Sequence, residues 1–258
     1  MGCPDNDLDV ASVRFEIVKA ATMDAAAAVD AMLAVAECWA ASDDVRVRNN
    51  GAVLRAVVDA RDRDEAVPAW TDPYGQRVAP PPGLDAKLRE PAAEPEVAKV
   101  ARALALCDLA ALPWKEPKGL SPSYAKILGP GAMRSAMLVG DRRHGAIVES
   151  AEIFAGLMWM RRGSSYPPHC HDASELFMVV LGRATSMWSV KPDVSEPGAF
   201  AVPRCGYLHH PSGTPHAVRT GADEDMLCVY FWSGDLYGRY WFCADGEPTD
   251  PSGFEVAS

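Results

Sequence analysis

From about residue 145 onward the chain breaks into short apolar runs: Ile153–Met160, Glu175–Leu181, Ala184–Val190, Ala199–Val202, His216–Thr220 and Met226–Trp232. Clusters of Gly, Pro, Asp and Ser separate them at short intervals. Such runs are too short for helices packed on a core, and their spacing is that of strands joined by tight turns. One of them, IFAGLMWM at 153–160, is apolar throughout, as a strand covered on both faces would be. The second half therefore predicts an all-β sandwich or barrel.

The first half reads differently. Across residues 8–40 apolar positions recur three and four apart around an alanine run at 25–28, which predicts helix. Asn49-Asn50-Gly51 marks a break, and a further helix is expected across Gly51–Asp62. Pro68, Pro73, Pro80, Pro81, Pro82, Pro91 and Pro95 exclude a long helix over 67–95, leaving an arm on the surface. Val97, Val100, Leu104, Cys107 and Ala111 then form one stripe of a helix over Glu94–Ala111. The predicted class is α+β: a helical N-terminal region (1–144, with a Pro-rich arm at 67–95) followed by a β-barrel (145–258).

Composition narrows the function. Thirty-five acidic against 25 basic residues give a net charge of −10. That excludes the basic patches that hold nucleic acid and offers nothing to an anionic membrane surface. No apolar stretch of about 18 residues predicts a membrane span, and MGCPDNDLDV lacks the features of a signal peptide. The seven cysteines are spread out with no C-x-x-C pair. They read as reduced thiols, and the expected location is the cytoplasm.

Of six histidines, five fall within the β-region: His169, His171, His209, His210 and His216. In Gly163-SSYPP-His169-Cys170-His171-DAS-Glu175-LFMVVL-Gly182, the two histidines lie two apart and so share one face of a strand. Glu175, four further on, stays on that face if the strand is regular. Pro211-Ser-Gly213-Thr-Pro-His216 brings a fourth candidate from another strand. Three imidazoles and a carboxylate suit one divalent transition metal: Zn, Fe, Mn, Ni or Co. His144, in a polar Asp-Arg-Arg-His-Gly turn, is not expected to take part.

These two motifs resemble the two-part cupin signature, which implies a jelly-roll barrel with His169, His171, Glu175 and His216 as metal ligands. With Leu112-Pro113-Trp114 ahead of them and Trp232-Ser233-Gly234-Asp235 after, they look like the cupin-type dimethylsulfoniopropionate (DMSP) lyases. That resemblance covers residues 95–243 well and the first ninety poorly. It implies β-elimination of a sulfonium carboxylate to acrylate and dimethyl sulfide. The family's usual base, a tyrosine two residues after the ligand Glu, is matched here by Phe177. A second family tyrosine is matched by Tyr166, the first candidate base, with Tyr207, Tyr230 and Tyr240 as substitutes. Glu175 is the other candidate catalytic residue. A cationic, apolar leaving group suits aromatic walls, for which Trp159, Trp188, Phe177, Tyr166, Tyr230 and Trp232 are the candidates, with His210 a further substrate-binding candidate. The alternatives are another metal cupin enzyme (a dioxygenase or sugar-acid isomerase) or a non-catalytic small-molecule-binding cupin. A homodimer is compatible with the sequence.

Overall fold

A computed structural model describes residues 25–61, 77–117, 122–188, 198–244 and 247–248. In the helical half, α1 (Ala25–Ala40), α2 (Val45–Asp59), α3 (Leu84–Leu88) and α4 (Pro95–Ala105) come first. The strand β1 (Trp114–Lys115) and the short α5 (Pro122–Leu128) follow. The remaining strands are β2 (Met133–Gly140), β3 (Val148–Glu149), β4 (Ile153–Met160), β5 (Ser165–His171), β6 (Ala173–Leu181) and β7 (Ala184–Trp188). After them come β8 (Gly198–Val202), β9 (Tyr207–His210), β10 (His216–Thr220), β11 (Met226–Gly234), β12 (Tyr240–Ala244) and β13 (Glu247–Pro248).

Two sheets form the β-layer. The larger runs β1-β2-β4-β11-β6-β9, with β3 on β2; the smaller runs β13-β12-β5-β10-β7-β8. Helices at the N-terminus followed by antiparallel sheets give the predicted α+β class. The larger sheet already contains β1 and β2, which precede residue 145. β1 is only two residues long, and β2 opens on Met-Arg-Ser before its apolar stretch Ala136–Val139.

The helices cover the outer face of the larger sheet. One cluster of buried residues joins Val29, Met32 and Trp39 of α1, Val97 and Leu104 of α4, and Leu157, Val180, Val229 and Phe231 of the sheet. Trp39 stands edge-on to Phe231, ring centroids 5.7 Å apart.

Asn49-Asn50-Gly51 is not a break. It lies inside α2, which starts at Val45 with the Asp44 carboxylate accepting a hydrogen bond from the Arg46 amide at 2.8 Å. Gly51 is there because α2 crosses α1 closely: a Cβ would sit 2.9 Å from both Ala36 O and Trp39 Cβ. Packing against α1 outweighs the helix propensity that glycine costs. The Pro-rich arm contains the short α3, whose Leu84 and Leu88 are buried. Its residues 67–76, and the predicted helical stretch before residue 25, lie outside the described residues. The stripe expected to reach Ala111 ends earlier, with Leu106 as the C-cap of α4. Among the described residues no helix is long and apolar enough to cross a membrane. The six described cysteines are free thiols.

Candidate metal centre

The chain crosses from one sheet to the other at Asp172. β5 ends at His171 in the smaller sheet and β6 begins at Ala173 in the larger. Glu175 therefore does not share a strand with the two histidines, as regular spacing predicted; it faces them from the opposite sheet. Asp172 pins the crossing by accepting hydrogen bonds from the Arg239 amide at 2.8 Å and from Arg239 Nε at 3.1 Å. His216, at the start of β10, lies directly opposite His169 in the ladder.

His169, His171, Glu175 and His216 are all buried. His169 and His216 rings are centred 4.2 Å apart, and His171 and His216 5.0 Å. The three imidazoles can present one ring nitrogen each within 4.8 Å of one another, and Glu175, His210 and His216 can do the same.

The tautomers follow from the backbone. Nδ1 of His169 meets Pro167 O at 2.9 Å, Nδ1 of His171 meets Ala173 O at 2.8 Å, and Nδ1 of His216 meets Thr214 O at 2.8 Å. A carbonyl only accepts, so each Nδ1 carries a proton, and in the neutral ring Nε2 keeps a lone pair. Nε2 of His171 and of His216 is buried and makes no hydrogen bond. Oε2 of Glu175 lies 3.3 Å from Nε2 of His216 and 3.9 Å from Nε2 of His171. Electron-rich atoms facing one another with no proton between them repel, and a cation among them removes the repulsion. Orphaned buried acceptors are rare in folded proteins, and this donor set fits one metal ion.

Two N–H donors orient the carboxylate. His210 Nδ1 donates to Glu175 Oε2 at 2.7 Å and Trp232 Nε1 donates to Oε1 at 2.8 Å. His210 is fully buried and stacks on His216, with ring centroids 3.8 Å apart. Burial pushes the His210 imidazole down to about 4, so it is a neutral donor at pH 7. Burial likewise lowers His169 and His171. For Glu175 burial acts upward, but the hydrogen bond from His210 and the neighbouring His216 outweigh it and hold the carboxyl well below its ordinary range.

A cavity of about 190 Å³ opens beside this cluster. His169 and Glu175 form its polar end; Met133, Met137, Phe154, Met158, Trp232, Tyr230 and Tyr240 form the walls, with Ser135 and Tyr166. Among the described residues no lysine or arginine lines it. The Tyr166 and Tyr240 hydroxyls are hydrogen-bonded to each other. Burial pushes Tyr166 up to about 12, a shift the hydrogen bond from Tyr240 opposes. Burial also raises Tyr230 and Tyr240.

The other sequence candidates are placed as follows. Tyr166 and Tyr230 line the cavity. Phe177 is buried within the barrel, its ring 5.4 Å from His210. Trp159 is a correction. It sits on the opposite face of β4 from Phe154 and Met158 and packs with the core beneath the helices. Trp188 lies opposite His216 in the ladder, but its side chain is outside the described residues. Trp232, a candidate wall, and Tyr240, a candidate base, both line the cavity; the β2 wall of Met133, Ser135 and Met137 is not among the sequence candidates. The alternation Met-x-Ser-x-Met is the signal that marks that wall, since every second residue of a strand shares a face.

Two facing antiparallel sheets with three imidazoles and a carboxylate gathered between them define a cupin barrel with a metal site. The family model described as dimethylsulfoniopropionate lyase matches residues 62–228. The chain belongs to that family. Dimethylsulfoniopropionate lyase DddQ from Ruegeria pomeroyi (strain ATCC 700808 / DSM 15171 / DSS-3) is 32% identical over 100 residues, 38% of this chain. The match spans 44% of that relative's length, less than half. A solved structure from a study titled "Crystal structures of DMSP lyases RdDddP and RnDddQII" superposes with a TM-score of 0.56 at 19% identity, covering 85% of this chain and 98% of that one. It shows the shared fold. The structure of DMSP lyase DddQ from Ruegeria pomeroyi DSS-3 gives a TM-score of 0.49 at 21% identity over 76% of this chain and 94% of that one.

Proposed function

We propose that the protein is a metal-dependent carbon–sulfur lyase that cleaves dimethylsulfoniopropionate to acrylate and dimethyl sulfide by β-elimination. The observation that carries this reading is the joining of a His–His–His–Glu cluster, with Nε2 of His171 and His216 unpartnered, to a cavity walled by aromatic rings and thioethers. A substrate with a carboxylate at one end and a bulky apolar cation at the other matches both ends of that space.

His169, His171, His216 and Glu175 would hold the ion, and Zn, Fe, Mn, Ni and Co all suit three imidazole nitrogens and one carboxylate. A divalent ion held there supplies Lewis acidity toward a carboxylate, easing removal of the neighbouring proton. This chain's residues do the rest. Tyr166 Oη takes the proton from the carbon next to the carboxylate, and Tyr240 steadies the phenolate through the hydrogen bond the two already share. The C–S bond breaks, its electron pair leaves on dimethyl sulfide, the C–H pair becomes the C=C bond of acrylate, and the proton is passed to water. The faces of Trp232 and Tyr240 attract the sulfonium before it leaves. The low-dielectric cavity keeps Tyr166 protonated by itself, so the base works only beside positive charge.

The test is headspace detection of dimethyl sulfide from protein loaded in turn with Mn, Fe, Co, Ni and Zn. Release above the metal-free control is expected with at least one ion. Absence of release with all five would overturn the proposal.

A further inference from the structure

We infer that Tyr230 is the donor that recognises the substrate's carboxylate, and that Gly156 is the residue that makes room for it. This rests on the reading of the cavity as a substrate site and names a chemical group that site selects.

Tyr230 sits at the middle of β11, flanked in the ladder by Gly156 of β4 on one side and Phe177 of β6 on the other. A Cβ on Gly156 would come within 2.9 Å of the Tyr230 hydroxyl, and within 2.1 Å of Ala136 O. The phenol thus lies across the bare backbone of β4 and ends at the cavity, beside Ser135 and Met137 of β2. Any side chain at position 156 would displace either the phenol or β2.

The three phenols of the cavity are not equivalent. Tyr166 and Tyr240 share one hydrogen bond, in which one phenol donates and the other accepts. Tyr230 Oη has no hydrogen-bond partner among the described residues, although the ring is largely enclosed in the barrel. The N–H of Trp232 is committed to Glu175. With no lysine or arginine among the described residues of the lining, a carboxylate entering the cavity meets the Tyr230 O–H, which no described residue engages. A phenolic O–H open to the cavity gains by donating to an anionic oxygen, because hydrogen bonds to charged acceptors are the stronger kind.

The probe is propionate, the carboxylate without its sulfonium, with propionamide as the uncharged control. Binding of each to the metal-loaded protein is measured by calorimetry, with no turnover involved. Tyr230→Phe is expected to weaken propionate binding by about tenfold or more, since a hydrogen bond to a charged group is worth roughly 1.5–3 kcal/mol. It should narrow the preference for propionate over propionamide and leave metal content unchanged. Tyr237→Phe, which alters an exposed hydroxyl outside the cavity, should change neither affinity. Gly156→Ala, whose Cβ would press on both β2 and the phenol, should weaken propionate binding in the same direction. Equal propionate affinity in wild type and Tyr230→Phe, or no propionate binding by the wild type, would overturn the inference. A lyase assay that fails while propionate still discriminates the variants would count against the reaction and not against this residue.

Discussion

At the scale of single residues, each nitrogen and oxygen of the centre has a distinct task set by its neighbours. Three backbone carbonyls fix the imidazole tautomers, and two N–H groups fix the carboxylate. Removing a ligand is expected to empty the site: Glu175→Ala and His169→Ala should each lower the metal content measured by elemental analysis of the purified variant. His210 acts through Glu175, and partners of this kind typically contribute 10–100-fold in affinity. His210→Ala should therefore weaken metal binding by about that factor in a chelator competition, without abolishing it. Tyr166→Phe should lower turnover by about 10²–10⁴-fold, the usual contribution of a positioned base, with metal still bound; unchanged turnover would remove Tyr166 from that role.

At the scale of elements, the sequence was readable where a motif or a period spoke for one side chain, and silent where it did not. His169, His171 and His216 were legible because histidines spaced by two and a Pro-x-Gly turn are local facts. The sheet crossing at Asp172 was not legible, since regular alternation continues past it on paper. Trp159 was misplaced because IFAGLMWM is apolar at every position, so its period cannot say which face meets the helices and which the cavity. The consequence is measurable. Trp159→Ala should cost about 3–5 kcal/mol in denaturant unfolding, as large-to-small core changes do, while leaving the KM for substrate essentially unchanged. A large KM effect with little loss of stability would return Trp159 to the cavity wall. Propensity alone makes Asn49-Asn50-Gly51 a break; α2 closes on α1 at Gly51, and that packing overrides it.

At the scale of the whole molecule, a core shared by helices and sheet supports a cluster of buried neutral imidazoles and a buried ionised carboxylate, and this couples stability to pH. The folded-state pKa of His169, His171 and His210 lies below the ordinary 6.5, so the unfolded chain takes up protons that the folded chain refuses as pH falls. For Glu175, likewise depressed, the stabilising contribution is present above its ordinary value of 4.5 and is lost as pH falls through the folded value. Both effects have the same sign. The metal-free protein should lose stability steadily below pH 6.5. His210 alone should contribute roughly 3 kcal/mol of that loss between pH 6.5 and about 4. Thermal melts across that range would show it; a Tm independent of pH would contradict it. The most direct measurement is anomalous diffraction from crystals grown with a transition ion. It should show one peak per chain at about 2.0–2.2 Å from Nε2 of His169, His171 and His216 and from a Glu175 oxygen. Those four side chains ordered but turned apart, with no anomalous density between them, would contradict the metal centre and everything built on it.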